Sequence, residues 1–113
     1  MEALLTVAET PEYLRRADRL LSSAEQTRVV EYLAANPRTG DLIRGTGGVR
    51  KLRWARGGRG KSGGVRVIYY FLSEAMPLYL LTVFGKNEKA DLTQAERNEL
   101  AALTRMLKAA EEM

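Results

Sequence analysis

The stretch Val49–Leu72, VRKLRWARGGRGKSGGVRVIYYFL, decides the fold. At its start Leu52 and Trp54 fall on one side of a period of two and Lys51 and Arg53 on the other, the pattern of a strand that buries one face and shows cations on the other. From Val65 to Leu72 the residues are β-branched, aromatic or otherwise apolar apart from Arg66, which predicts a central strand covered on both faces. Between the strands, Arg56 to Arg66 packs five glycines and four cations into one connection. Gly60-Lys61-Ser62 resembles the end of a phosphate-binding P-loop, but the first glycine of that pattern is replaced by Ala55. A P-loop must also open a helix whose N-terminal amides hold the phosphates, and here a strand follows. The residues therefore favour an RNA-contacting loop or a long hairpin turn over a nucleotide loop.

Outward from this stretch, Glu74 to Pro77 makes a turn and LYLLTVF, Leu78–Phe84, a third strand. Thr93 with Glu96 forms a capping box, and Leu100, Leu103, Met106 and Leu107 follow at helical spacing, so a C-terminal helix starts near Thr93. Upstream, Thr10-Pro11-Glu12 supplies a capping hydroxyl, a proline for the first helical position and an acid against the helix dipole. Ser22 with Glu25, or Ser23 with Gln26, caps a second helix that Asn36-Pro37 ends. Pro37–Gly48 reads as a loop with one ordered apolar pair, Leu42-Ile43, and the N-terminal ALLTVAE as either an edge strand or a lead-in. The expectation is a single α+β domain over residues 1–113: an N-terminal helical hairpin, a small antiparallel β-sheet of three strands and a C-terminal helix, the helices packed on one sheet face.

Charge narrows the function. Arg38 to Arg66 carries nine of the 18 cations and one of the 14 acids, a local +8, whereas the remainder, with nine cations and 13 acids, is −4. A concentrated basic stripe is the footprint of a polyanion-binding surface; its plain alternative is a solubilising face. The chain has no cysteine and no histidine, so thiolate chemistry, zinc sites built on those ligands and histidine acid–base catalysis are excluded. No apolar run is long enough to span a membrane, and the start of the chain lacks the pattern of a signal peptide, so a cytoplasmic protein with no membrane partner is expected.

Arg66 is the residue whose chemistry stands out. On its strand it points opposite Val65, Val67 and Tyr69, and a cation in an apolar strand needs water, a carboxylate or a ligand phosphate for its head. An ion pair with Glu74 or Asp91 would satisfy it; so would a phosphate, which guanidinium matches bidentately. Lys86 and Lys89 follow the third strand, and an antiparallel meander brings that end beside Arg66 and the glycine-rich connection, joining two basic clusters at one edge of the sheet. Tyr69, Tyr70, Tyr79 and Trp54 are assigned to packing.

The segments GKSGG-x-R-x-I-Y-Y, from Gly60 to Tyr70, and K-N-E-K-x-D-L, from Lys86 to Leu92, resemble the RelE/ParE superfamily of bacterial toxins, most closely its HigB-type, RelE-like members. The resemblance runs from Val49 to Leu100, with a general match of two helices before it. It implies a RelE-like fold and a toxin of a type II toxin–antitoxin system: a ribosome-dependent, metal-independent endoribonuclease that needs no cofactor and cleaves translated mRNA. Its implied partners are the ribosome with bound mRNA and a cognate antitoxin, a helix-turn-helix DNA-binding protein.

The implied reaction is attack of a ribose 2′-OH on the adjacent phosphate, leaving a 2′,3′-cyclic phosphate, with Lys, Arg and sometimes Tyr in place of histidine. The catalytic set is then Lys61, Arg66, Lys86 and Lys89, and the RNA- or ribosome-binding set Arg50, Lys51, Arg53, Arg56, Arg59 and Asn87. Lys61 is crowded by Arg59 and Arg66, which lowers its proton affinity toward that of a base. The chain departs from relatives at Asn87, where they carry arginine, and at Thr93, where they carry tyrosine; Tyr69 or Tyr70 is left to supply an acid. Two alternatives remain at this point: a ParE-like gyrase inhibitor without nuclease activity, since fold does not fix function, and a non-catalytic RNA-binding module.

Overall fold

The computed structural model describes residues 5–55 and 64–112. In chain order the elements are β1 (Val7–Glu9), α1 (Pro11–Leu20), α2 (Ser23–Ala35), β2 (Asp41–Leu42), β3 (Val49–Trp54), β4 (Val65–Tyr70), β5 (Leu78–Gly85) and α3 (Gln94–Glu112). The helix starts follow the local chemistry. The Thr10 hydroxyl accepts the Tyr13 amide with Pro11 in the first turn of α1, and of the two capping boxes open to α2 the one formed is Ser22 with Glu25. At α3 the Thr93 hydroxyl accepts the Glu96 amide while Glu96 Oε1 accepts the Thr93 amide.

The three-strand antiparallel meander is present as β3–β4–β5, but among the described residues the sheet has five strands in the order β1-β5-β4-β3-β2. It is mixed rather than antiparallel, because β1 lies parallel to β5 with Val7 opposite Leu78. Thr10 fixes that pairing: its amide and hydroxyl both donate to the Leu80 carbonyl. At the other edge Asp41 and Leu42 pair with Lys51 and Arg50, so the expected loop contains a short strand. Sequence periodicity does not mark two- and three-residue strands, since too few residues alternate.

The helices occupy both faces, not one. Tyr13 and Ala17 of α1 and Val29 and Leu33 of α2 pack with Leu52, Val65, Val67, Tyr69, Leu78, Leu80 and Val83. Leu100, Leu103 and Leu107 of α3 pack on the opposite face against Val49, Ile68, Tyr70 and Leu81. The continuous apolar run of β4 requires this, because both of its faces are buried from Val67 to Tyr70 and one helical layer covers only one of them. Among the described residues no helix is long and apolar enough to cross a membrane.

Two contacts lock the segment between α2 and β3. The Tyr69 hydroxyl donates to the Pro37 carbonyl at 2.9 Å and accepts the Gly40 amide at 2.8 Å. A Cβ at Gly40 would lie 2.8 Å from the Tyr69 ring, so only glycine allows that approach. Across the other face, the Thr104 hydroxyl of α3 donates to the Thr46 carbonyl at 2.8 Å.

Candidate nucleic-acid interface

On the α3 side of the sheet, the end of the strands beyond the helix is basic. Arg53 of β3 stands directly opposite Arg66 of β4, and Arg66 directly opposite Phe84 of β5. Lys51 lies on the same face one alternation back, opposite Ile68. Side chains facing one another across an antiparallel pair come within about 5 Å at Cβ, so two guanidinium groups in register repel unless an anion or water lies between them. Among the described residues Arg66 has only a weak link, Nη1 donating to the Val65 carbonyl at 3.4 Å, and no carboxylate pairs with it. Neither expected acid serves: Asp91 is engaged elsewhere, and Glu74 sits in the β4–β5 turn at the opposite end of the strand.

The β5–α3 loop completes this end. The Lys86 amide donates to the Gly64 carbonyl at 3.1 Å, and Val65 pairs with Gly85, so the two basic clusters meet as the meander requires. They meet at the ends of central strands β4 and β5 rather than at a sheet edge. Lys89 places its ammonium 4.9 Å from the centroid of the Phe84 ring and pairs with Glu96 Oε2. Lys86 and Asn87 are exposed at the loop tip.

Three carboxylates hold this loop in shape. Glu88 Oε1 accepts the Gly85 amide at 2.8 Å. Asp91 Oδ1 accepts the Leu92 amide at 2.8 Å and lies 3.3 Å from Lys51 Nζ, while its Oδ2 lies 3.3 Å from Arg97 Nη2. Burial raises the Asp91 pKa, but the Leu92 amide together with Lys51 and Arg97 outweighs it and holds the carboxyl below its ordinary value. The Lys89 hydrogen bond, then the Thr93 amide, does the same for Glu96. Asp91, Glu96 and Arg97 were absent from the sequence-derived site. Glu96 was legible only as a helix cap, because the partner of its second oxygen is set by how the loop folds back.

Other candidates sit elsewhere. Arg50 is on the opposite sheet face, where Nη1 donates to the carbonyls of Arg38 at 3.0 Å and Gly40 at 2.8 Å. Tyr69 is also on that face, with its hydroxyl committed to the Pro37–Gly40 segment and its pKa raised chiefly by burial. Tyr70 shares Arg66's face but is four residues further along β4, roughly 13 Å away, and burial followed by Glu111 raises its pKa. Neither tyrosine reaches the Arg66 end. Arg56, Arg59 and Lys61 lie outside the described residues.

A cavity of about 450 Å³ opens between the first turns of α1 and α3, floored by Leu81, Leu92, Leu100 and Leu103. Its rim carries Glu12, Glu96 and Glu99 against one cation, Arg16, which suits no polyanion. The cations gather instead at the strand end, around Arg53, Arg66 and Lys86.

Fold and site together describe a small α+β protein with a basic end to its sheet. The chain matches the family model of the RelE toxin of the RelE/RelB toxin–antitoxin system over residues 13–113, and belongs to that family of toxins. It is similar in fold to the structure of an arginine-substituted mutant of the E. coli toxin RelE in the free state, with a TM-score of 0.57 at 16% identity, over 91% of this chain and 98% of that one.

Proposed function

We propose that this toxin is an endoribonuclease of HigB-like type that cleaves messenger RNA on the translating ribosome without a metal cofactor, in the cytoplasm, and that a cognate helix-turn-helix antitoxin silences it. The observation that carries the reading is Arg66, a half-buried strand arginine set opposite Arg53 with no carboxylate partner among the described residues. Such a pair is an anion receptor, and a phosphodiester is the anion whose oxygens a guanidinium fork matches.

In the proposed reaction the ribose 2′-OH attacks the adjacent phosphorus, its proton passing to a base, and the 5′-oxygen leaves with a proton, yielding a 2′,3′-cyclic phosphate. Arg66 stabilises the charge that grows on the non-bridging oxygens, and being fixed on a strand it does so without reorganising. Lys86 and Lys89 act from the loop, while Arg53, Lys51 and Asn87 hold flanking backbone. Lys61 is proposed as the base because neighbouring cations lower its proton affinity, with Arg56 and Arg59 as further phosphate contacts. Arg50 acts at a distance by bracing the Arg38–Gly40 segment against β3.

The test is a primer-extension map of reporter mRNA after brief induction of the wild type and of Arg66→Ala, with translation running and with initiation blocked. Codon-registered cuts that vanish in both the variant and the blocked sample support the reading. Growth arrest with uncut mRNA and induced DNA damage sinks it in favour of gyrase inhibition.

A further inference from the structure

The basic face carries its own anions. Asp91 bridges Lys51 of β3 and Arg97 of α3, and Glu96 holds Lys89, so two carboxylates mask three cations. Arg53, Arg66 and Lys86 keep no acidic partner among the described residues. Neither acid needs its cation for the local fold. The α3 capping box uses Glu96 Oε1 while Lys89 is bound by Oε2, and Asp91 receives the Leu92 amide independently of Lys51 and Arg97. Ion pairs this exposed stabilise a fold little. An acid beside a phosphate-binding surface also repels the phosphate. Two such acids therefore need a reason other than stability.

We infer that Asp91 and Glu96 are specificity-determining residues that withhold Lys51, Arg97 and Lys89 from free RNA. The inference rests on the RNA-cleaving reading above and concerns how that face chooses its substrate. Non-specific affinity for nucleic acid grows with the number of phosphates neutralised, because each contact releases counterions. With three cations masked, bulk RNA meets only a small unpaired set. A strand already held in place by a larger assembly presents its phosphates at high effective concentration, and these displace the two carboxylates where dissolved RNA does not. Discrimination then comes from holding cations in reserve rather than from reading bases.

The experiment measures binding of a fluorescent oligouridine by anisotropy across a salt series, for the wild type and for Asp91→Asn/Glu96→Gln. Both substitutions keep the side-chain shape, and glutamine at this helix position preserves the capping box. The double variant should bind about tenfold more tightly at moderate salt, with a log–log salt slope steeper by about 1.4 to 2, from roughly 0.7 per cation released on single strands. Glu31→Gln/Glu74→Gln makes the same change in net charge at exposed positions away from the face and should leave both quantities near wild type. Adding Lys51→Gln to Asp91→Asn should take back about 0.7 of the slope. Each substitution is also made alone, so that a folding defect in one leaves the other decisive. No gain in the double variant, or an equal gain in the charge-matched control, overturns the inference. Cleavage on programmed ribosomes is scored separately: a wild type that cuts nothing there refutes the nuclease reading, while the slopes still decide whether the carboxylates mask the face.

Discussion

Arg53 and Arg66 face each other in register across β3 and β4, two guanidinium groups on neighbouring central strands of one sheet face. Like charges so placed destabilise the pair they sit on. Substituting Arg66 with alanine should leave the melting temperature unchanged or slightly higher, while lowering the rate of RNA cleavage by about 10²- to 10³-fold, the usual loss on removing a transition-state charge stabiliser. Thermal unfolding and single-turnover cleavage, run on the same preparation, check both halves. A drop in stability matching the loss of activity would mean that Arg66 is structural.

Arg53 should behave differently, because it is exposed and one strand removed. Arg53→Ala is expected to weaken RNA binding with little dependence on sequence and to flatten the salt slope by about 0.7. Salt-dependent anisotropy measures this, and an unchanged slope would remove Arg53 from the face.

The Tyr69 hydroxyl accepts the Gly40 amide and also donates to the Pro37 carbonyl. Tyr69→Phe leaves the buried Gly40 amide and the half-buried Pro37 carbonyl without this partner and should cost about 1–3 kcal/mol. Gly40→Ala drives a methyl into the same ring and should cost about as much through overpacking, on the order of 1–3 kcal/mol. Because the two act on one contact, their double variant should lose less than the sum in chemical denaturation.

Acid should loosen the β5–α3 loop. The pKa values of Asp91 and Glu96 are held below their ordinary range in the folded chain. A carboxyl depressed on folding contributes stability that is present above its unfolded pKa and is lost as pH falls through the folded one. The window therefore begins near pH 4 and extends downward. Amide exchange at Leu92 and Thr93 should accelerate across it, and Asp91→Asn/Glu96→Gln should abolish that dependence. Solvent exposure of both acids keeps the effect on global stability small.

What the sequence could tell followed from how many residues each feature spends on its pattern. β3 and β4 were legible because alternation and an unbroken apolar run extend over several residues, and the helix starts because caps are local chemistry. Of the edge strands, β1 was one of two readings open to ALLTVAE and β2 was not legible, because two or three residues carry too little alternation to mark a strand. The side of the sheet taken by α3 was implicit in the double burial of β4, yet an amphipathic helix pattern names no face. In the site, the meeting of Lys86 with the Arg66 end followed from the meander. The masking of Lys51 by Asp91 joins residues 40 positions apart and depends on the loop's path.

The parallel seam between β1 and β5 bears on how the toxin comes into being. Thr10 finds its hydrogen-bond partner 70 residues later, at Leu80. A nascent chain therefore exposes β1, α1 and α2 well before the strand that receives them exists, and contacts of such separation form late. Lys86, Lys89 and the Glu96 that pairs with Lys89 are made later still. The hairpin of α1 and α2 is thus made before the strand that seats it, and the basic strand end cannot assemble until β5 and the loop after it have followed.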